Sequence, residues 1–433
     1  MSTQIQITPV SASGVWGISN ASGVYTYYAT LTLAMAAATA GQTIEMFADV
    51  TETSAVTIAI GNGVTIQGNG HTYTLDVAGA VDAFTIAQNF SCYIFNAVLK
   101  IKTSTGSLIV MDIDSTLRGD AILSGTSTTP TFPNPLEFVL RSVASTTPIN
   151  VSGFTIIAEG TKCGVLIGDG SFAENLQIYS DTGQAFQLSG AAQGRNCNIY
   201  AKNPSTLMSG KACAVYAIGS LSNSFIQSGG ANATIAVYLQ GGNITTQPKG
   251  ITACEIISLT GDGVQIENAA DIENCRITVY GAGAKTITST TNPAETVYVD
   301  VHNCILRSLN GPCVEQRLKW LSFTDCYLFA GQGSAIDNNG PNAGYDVIRL
   351  RRCFIEVAAS NASYHGVVLG TDNGCEITNC YFSVVNASSY AITALGAITA
   401  KCAQNAFKGS TVPINPLVTN ISNLIDTQGN VII

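Results

Sequence analysis

The chain has 433 residues, of which 46% are hydrophobic and 11% are charged, and its formal net charge is −9. An acidic chain without a basic stripe has no means of neutralising phosphates, which argues against nucleic acid as a partner. No apolar run approaches the roughly 18 residues that a membrane span needs, so we expect no membrane insertion. The low charge and the 42 glycines favour a β-rich chain, built as two or three ordinary domains or as one long solenoid.

The first part of the chain predicts a leader and then a cap. Residues 1–28 have no clear periodicity and predict an irregular leader or docking segment. The Ala- and Leu-rich stretch 29–40 predicts a helix that stops at Gly41. Strands separated by glycine turns are then predicted at 42–50, 56–60 and 64–67. A short apolar helix ahead of such strands would cover the open apolar end of a solenoid.

The central part of the chain repeats one short phrase: an apolar residue, two mostly polar residues, a cysteine, any residue, and an apolar residue. The cysteines in this slot are Cys254, Cys275, Cys304, Cys326, Cys353 and Cys380. Weaker upstream copies place Phe154, Leu176, Cys197 and Ser224 in the same slot. Successive slots lie between 21 and 30 residues apart. A helical repeat would keep a tighter period, so this spacing favours a coil of three short strands whose turns accept insertions.

The phrase also predicts which side chains point inward. Two polar residues between inward positions indicate a tight turn, where Asn274, Asn303 and Asn379 tolerate left-handed backbone and stack on one another. The slot cysteines would then fill the coil interior as small buried hydrophobic residues. Thirteen cysteines are an odd number, and the chain start lacks a secretory signal, so we expect reduced thiols. We expect no metal and no cofactor.

The repeat loses its register beyond its last clear copy, around Cys402 and Asn405. The segment 411–433, which contains Pro413 and Pro416, predicts a C-terminal cap or tail. The predicted organisation is therefore a leader over 1–28, a β-helix with its N-terminal cap over 29–410, and a tail over 411–433.

These features together resemble the right-handed parallel β-helix family typified by pectate lyases, rhamnogalacturonases and phage tailspikes. The stretch 36–44, followed by 64–70, resembles the N-terminal cap and first rung of that family. The Asn turn followed by Cys-x-Ile resembles its asparagine ladder and inner stacks. The resemblance covers roughly 30–410 and implies an all-β, right-handed, single-stranded parallel β-helix (a β-solenoid) with an N-terminal capping helix. It implies no activity, because function on such folds resides in local sites.

The residue after each slot cysteine is predicted to point outward. On successive rungs, spaced about 4.8 Å apart, these outward residues form an exposed apolar column. Its members are Ile305, Tyr327, Phe354 and Tyr381. An exposed apolar patch of this kind marks contact with another subunit, with a loop of the same chain, or with a glycan.

Two aspartates are predicted to lie on neighbouring rungs of the preceding strand. Asp271 and Asp300 would then be separated by about the distance between nucleophile and acid in a retaining glycosidase. Like charges this close would raise one pKa, giving one acid and one base, with His302 as an auxiliary. The alternative is that both aspartates only keep the surface soluble.

Other catalytic and metal motifs of the resembled family are incomplete. The chain has Tyr364-His365-Gly366 where a polygalacturonase-like site would have Gly-His-Gly, and it has no adjacent aspartates. Asp112 and Asp114 would face the same side of a strand as calcium ligands. They lack a third carboxylate in register, so we predict no calcium site.

The leading hypothesis is a non-enzymatic structural protein of a bacteriophage virion, either a tail spike, a tail fibre or a capsid-decorating β-helix. Such a protein is made in the cytoplasm and reaches the outside by lysis, without a signal peptide. The expected partners are other virion subunits, including a homo-oligomer in which a trimer is favoured, and host surface polysaccharide. Two alternatives stay open: a polysaccharide depolymerase that uses Asp271 and Asp300, and a non-catalytic carbohydrate-binding surface protein.

Overall fold

The computed structural model describes most of the chain. The described residues are 14–58, 63–76, 79, 82–102, 106–127, 138–204, 212–230, 234–240, 250–267, 269–289, 298–315, 320–337, 347–370, 375–419 and 431–432. These residues form 48 strands and one α-helix. The chain divides into two compact units, unit 1 (1–178) and unit 2 (179–433).

Each unit is a right-handed parallel β-helix in which every turn adds one strand to each of three sheets, here called A, B and C. The predicted all-β solenoid is therefore confirmed. Parallel pairing in register places equivalent residues of successive turns directly above one another. A sequence slot thereby becomes a column of side chains along the sheet.

Unit 1 contains five or six turns of this coil. The strands of sheet A are Thr43–Met46, Val64–Gln67, Ser91–Phe95, Ser115–Gly119, Ile149–Ser152 and Phe172–Glu174. Those of sheet B are Val50–Glu52, Thr72–Leu75, Val98–Ile101, Ile122–Ser127 and Thr155–Gly160, followed by Gln177–Ser180 at the unit boundary. Those of sheet C are Val56–Ile58, Phe84–Ile86, Ile109–Met111, Phe138–Ser142 and Cys163–Ile167.

The N-terminal cap of unit 1 is a hairpin and a short helix. Strand Trp16–Ser19 pairs antiparallel with Tyr25–Tyr28 and with Thr43–Met46, so the described part of the predicted irregular leader is partly regular. Helix α1 (Leu31–Ala37) begins after Thr30, whose hydroxyl accepts a hydrogen bond from the amide of Leu33. Its apolar face buries Leu31, Ala34 and Met35, as a capping helix should.

Two predictions at this end of the chain were wrong in their boundaries. The helix ends at Ala37 rather than at Gly41, because the Thr39 amide donates to the side chain of Gln42 and the chain turns there. The strand predicted over 42–50 is two strands, since the chain passes from sheet A to sheet B between them. The strand at Val56–Ile58 is part of the predicted 56–60, of which 59–60 lie outside the described residues. The strand at Val64–Gln67 was predicted correctly.

Unit 2 continues the same three-sheet pattern. The strands of sheet A are Gln193–Arg195, Ser220–Ser222, Gly250–Thr252, Ala270–Glu273, Tyr298–His302, Trp320–Thr324, Val347–Arg351, Cys375–Thr378, Ile398–Ala403 and Val418–Thr419. Those of sheet B are Asn198–Ala201, Phe225–Ser228, Glu255–Ser258, Arg276–Val279, Ile305–Ser308, Tyr327–Ala330, Phe354–Val357, Tyr381–Val384, Ala406–Lys408 and Val431–Ile432. Those of sheet C are Phe186–Leu188, Cys213–Ala217, Ile235–Leu239, Val264–Ile266, Ile287–Ser289, Val314–Glu315, Ile336–Asp337, Val367–Leu369 and Ile392–Ala394.

The cysteine slot lies where the sequence predicts, at the start of sheet B on the inner side of the coil. The slot cysteines of unit 2 are at most 3% exposed, and all thirteen cysteines are buried free thiols. The predicted reduced, structural role of the thiols agrees with this arrangement. The domain boundaries predicted near 28 and 411 stay predictions.

Candidate functional site

The apolar column lies on the outer face of sheet B in unit 2. Ile305, Tyr327, Phe354 and Tyr381 are direct partners on four successive strands. Ile305 is 42% exposed and Phe354 is 39% exposed, while Tyr327 and Tyr381 are partly buried. These side chains therefore form the outward column that the sequence predicts. What the column contacts stays a prediction.

The rings of the column pack on one another. The ring centroids of Phe354 and Tyr381 lie 4.8 Å apart with 19° between their planes, and those of Tyr327 and Phe354 lie 5.4 Å apart at 51°. The Tyr327 hydroxyl donates to a carboxylate oxygen of Glu356 at 2.6 Å. Burial and this hydrogen bond raise the pKa of Tyr327 to about 12, so its hydroxyl stays protonated. The rings of Phe354 and Tyr381 are therefore stacked along the sheet, and the ring of Tyr327 is tilted against that of Phe354.

A groove of about 590 Å³ runs beside the column, on the side of the turn that joins sheets A and B. Its wall combines the column with polar side chains of that turn. The lining residues are Asn274, Cys275, Arg276, Asn303, Cys304, Ile305, Asp325, Cys326, Tyr327, Arg352 and Phe354. Apolar and hydrogen-bonding groups therefore face the same space.

The polar wall of the groove is a ladder of left-handed turn residues. Asn274, Asn303, Asp325 and Arg352 have φ values of 55°, 51°, 56° and 52°. The side-chain nitrogen Nδ2 of Asn303 donates to the side-chain oxygen Oδ1 of Asn274 at 2.6 Å. Arg352 binds Asp325 through two hydrogen bonds of 2.7 and 2.8 Å. These bonds lower the pKa of the Asp325 carboxyl, which is therefore ionised near neutral pH.

The sequence predicted the asparagines of this ladder but missed Asp325 and Arg352. Asparagine is a familiar left-handed residue, whereas arginine is not, so its side chain gave no sign of the turn. Both residues stand directly before a slot cysteine, and this position alone would have placed them in the ladder.

The groove also contains the guanidinium of Arg276. Within the part of the chain that the structure describes, this guanidinium makes no hydrogen bond or ion pair. On the same sheet, Glu255 is the direct partner of Arg276 one strand earlier. The groove thus offers amides, an ion pair and a further cation to a ligand.

The two candidate catalytic aspartates lie on sheet A, on a different face from the column. Asp271 and Asp300 are direct partners on neighbouring strands, as predicted. Asp271 is half-buried, and burial together with the nearby charge of Asp300 raises the pKa of its carboxyl. In the same row of sheet A, Ser322 is the partner of Asp300 on the next strand, and Arg349 is the partner of Ser322 on the strand after that. The guanidinium of Arg349 lies over the ring of Trp320, 4.6 Å from its centroid. The predicted proximity is confirmed, whereas a catalytic role stays a prediction.

The strand placement considered for Asp112 and Asp114 was wrong. Both residues lie in the turn between Ile109–Met111 and Ser115–Gly119, and Asp114 has a φ of 56°. Asp112 accepts a hydrogen bond from the neighbouring amide of Ile113 at 2.7 Å. Among the described residues, no group of three or more His, Cys, Asp or Glu side chains is arranged to hold a metal ion. The described helix is also too short to cross a membrane.

Sequence reasoning missed a second aromatic stack on sheet B. The rings of Tyr179 and Tyr200 lie 5.1 Å apart and almost parallel, and Phe225 lies 5.4 Å beyond Tyr200. Tyr179 and Tyr200 are the third residues of their strands, Gln177–Ser180 and Asn198–Ala201, and point outward from there. The repeated phrase was used to predict only the outward residue directly after the slot, so these two residues were not found.

Comparisons with known proteins give similarity of fold only. No family model matches the chain, and no curated protein matches it. Among solved structures, the Streptococcus pneumoniae surface protein and adhesin PfbA is 13% identical, with 75% of this chain and 91% of that chain covered and a TM-score of 0.40. The A-module of Azotobacter vinelandii mannuronan C-5 epimerase AlgE4 is 11% identical, with 82% and 89% covered and a TM-score of 0.35.

A third similar structure is the tailspike gp49 of Acinetobacter baumannii bacteriophage Fri1, a capsular polysaccharide depolymerase. It is 12% identical, with 77% of this chain and 59% of that chain covered and a TM-score of 0.30. An adhesin, an epimerase and a depolymerase differ in activity, so similarity at this level assigns none of them. The strand register itself defines the chain as a right-handed parallel β-helix protein.

Proposed function

We propose that the chain is a non-catalytic structural protein of a bacteriophage virion that binds host surface glycan in the groove beside the column. The observation that carries this proposal is the groove itself. Its lining combines the aromatic side chains of Tyr327 and Phe354 with the ladder residues Asn303, Asp325 and Arg352. Sites for polar ligands combine apolar walls with a few fixed hydrogen-bonding groups in this way.

A glycan suits this groove better than a second subunit. A dry subunit interface would bury the Asp325–Arg352 ion pair, and removing exposed charges from water is unfavourable. The centres of protein interfaces are accordingly depleted in charged residues. Sugar hydroxyls can donate to and accept from the same amides, carboxylate and guanidinium that water now contacts. A sugar chain lying in the groove would therefore keep these groups hydrogen-bonded.

The thiols support the proposed compartment. Thirteen free cysteines and no disulfide suit a chain that folds in a reducing cytoplasm. A glycan ligand on a host surface places its site of action outside the cell. A virion protein released by lysis satisfies both conditions, and this supports the proposed location.

The test is retention of purified bacterial surface polysaccharides by wild-type protein and by a variant carrying Tyr327→Ala and Tyr381→Ala. We expect the wild type to retain at least one polysaccharide and the variant to lose retention without changing its mass in solution. If the variant binds as wild type does, the groove is not the glycan site. If it instead falls apart into smaller species, the column is a subunit interface.

One observation favours a second candidate, a depolymerase on the same fold. Asp271 has a raised pKa beside Asp300, the arrangement that separates an acid from a base. Cleavage with Asp271 as the acid would be fastest below that raised pKa and would slow as the pH rises through it. The assay is release of reducing ends from the polysaccharide panel by wild type, Asp300→Asn and a control, Asp181→Asn, at a partly exposed aspartate elsewhere that pairs with Lys202. Cleavage lost only in Asp300→Asn would replace the structural proposal with this one.

A further inference from the structure

A second cavity in unit 2 lies at the turns that join sheets B and C. Its volume is about 640 Å³, and none of its residues lines the groove beside the column. The lining residues are Gly283, Asn310, Gly311, Pro312, Gln332, Gly333, Ser334, Asp337, Ser363, Tyr364, His365, Val368, Thr393, Ala394 and Leu395. Tyr364 and His365 belong to the motif that the sequence left without a role.

Tightly packed backbone forms part of the wall of this cavity. A Cβ atom at Gly311 would lie 2.4 Å from the carbonyl oxygen of Ala284 on the preceding turn. At Gly333 the φ is +111°, and a Cβ would lie 2.8 Å from the nitrogen of Pro312. Glycine is required where turns approach this closely, so this part of the wall is rigid and preformed.

The hydrogen-bonding groups of the cavity are fixed by their own partners. The Nδ1 atom of His365 accepts from the amide of Tyr390 at 3.2 Å, which leaves the proton on Nε2. Burial lowers the pKa of His365, so the ring is neutral at pH 7. The Ser334 hydroxyl oxygen accepts from the amide of His365 at 3.0 Å and keeps its own proton for another acceptor. Asn310 donates to the carbonyl of Tyr280 at 2.7 Å, which orients its side-chain oxygen as an acceptor.

The charges and the apolar surface of the cavity narrow the class of ligand. Among the described lining residues there is no Lys or Arg that could pair with an anion. Pro312, Val368 and Leu395 supply apolar surface between the donors and acceptors. Mixed donors, acceptors and carbon surface, without net positive charge, match a neutral polyhydroxyl compound.

We propose that this cavity is a second saccharide-binding site, specific for a neutral sugar. The inference uses no residue of the groove and does not depend on the proposed function. Its specificity also differs from that expected of the groove, whose wall includes the guanidinium groups of Arg276 and Arg352.

Two equivalent turns offer a matched pair of variants. Ser363 is an exposed lining residue whose amide donates to the side-chain oxygen of Asn361 at 2.9 Å. One turn later, the exposed Ser388 donates in the same way to Asn386 at 2.8 Å, but it does not line the cavity. Ser363→Trp should fill the cavity, and Ser388→Trp should add the same bulk outside it. Gln332→Trp, at an exposed lining residue, is the second filling variant if Ser363→Trp does not fold.

The experiment is saturation-transfer NMR with glucose, galactose, rhamnose, N-acetylglucosamine and glucuronic acid as probes. We expect at least one neutral sugar to bind the wild type and Ser388→Trp alike, and to bind the filled variant about tenfold more weakly, or about 1.4 kcal/mol. Three results would each overturn the proposal: no neutral sugar binds, the filling and control variants bind alike, or glucuronic acid binds as well as the neutral sugars.

Discussion

At the scale of single residues, the turn between sheets A and B shows how backbone geometry and function share one position. Among the described residues of unit 2, nine such turn residues have left-handed backbone: Asn196, Asn223, Ala253, Asn274, Asn303, Asp325, Arg352, Asn379 and Gln404. The repeat fixes their φ, while the side chain is free to vary. Only some of these side chains line the groove, and those are the ones that bear on ligand binding.

Asn379 tests the backbone requirement separately from ligand contacts. Its side chain is exposed, its φ is 55°, and it does not line the groove. A β-branched side chain is disfavoured in this conformation by about 1–2 kcal/mol, whereas glycine is not. We expect Asn379→Val to lower the urea midpoint of unfolding clearly and Asn379→Gly to change it little. Equal midpoints for the two variants would contradict the assigned geometry.

The thiols give a second prediction at the residue scale. Burial raises the pKa of the Cys313 and Cys402 thiols to about 12. A hydrogen bond with Cys254, together with burial, also raises the pKa of the Cys275 thiol to about 12. For these three thiols, a pKa above the ordinary value keeps the reactive thiolate nearly absent at pH 8. Hydrogen bonds with Cys275 and Cys326 lower the pKa of the Cys254 and Cys353 thiols, respectively, so burial alone shields these two from a reagent. We expect a thiol-specific chromogenic reagent to react with none of the thirteen cysteines in the folded protein at pH 8 and with all of them in urea. Rapid reaction of the folded protein would contradict the buried stack.

At the scale of elements, Glu52 connects the cap of unit 1 to the coil. One of its carboxylate oxygens accepts from the indole nitrogen of Trp16 at 3.0 Å and from the amide of Leu31 at 2.7 Å. The other accepts from the Tyr73 hydroxyl at 3.2 Å. The carboxylate is buried, and it therefore joins the hairpin, the start of helix α1 and sheet B. A negative charge at a helix N-terminus is also favourable.

Removing this carboxylate should destabilise the cap. Glu52→Ala would leave three buried donors without their acceptor, at about 1–3 kcal/mol each before the structure relaxes. We expect a loss of about 3 kcal/mol or more in the free energy of unfolding, measured by urea denaturation. Thr51→Ala, at the exposed neighbouring residue, should cost less than about 0.5 kcal/mol. Similar losses in both variants would show that the network contributes little.

The same elements show which features a sequence can predict. The cysteine slot and the column were predictable because parallel pairing converts a repeated phrase directly into stacked side chains. The antiparallel hairpin at Trp16–Ser19 was not, because it pairs with strands outside the repeat. The groove and the second cavity were missed because each is formed by turns of several rungs. The bidentate bond between Asp325 and Arg352, 27 residues apart, is visible only when the rungs are stacked.

At the scale of the whole molecule, surface apolar residues bear on self-association. Leu259 and Tyr280, each 43% exposed, and Val385, 59% exposed, follow sheet B on different turns of unit 2. Exposed apolar side chains on one side of a solenoid favour a protein contact. We expect the chain to form the favoured trimer, with a mass in solution about three times its 45.0 kDa. Light scattering coupled to size-exclusion chromatography measures this mass directly. A single-chain mass would contradict the prediction.

We propose that the groove beside the column binds a surface glycan without cleaving it. Phe354 lines the groove and is 39% exposed, while Tyr179 is 41% exposed on the same sheet and lies outside the groove. We therefore compare wild type, Phe354→Ala and Tyr179→Ala by calorimetric titration with a retained polysaccharide. The two variants each remove one similarly exposed aromatic side chain, inside the groove and outside it. We expect affinity about tenfold weaker for Phe354→Ala, unchanged affinity for Tyr179→Ala, and no release of reducing ends. Equal affinity of the two variants, or cleavage of the bound polysaccharide, would contradict it.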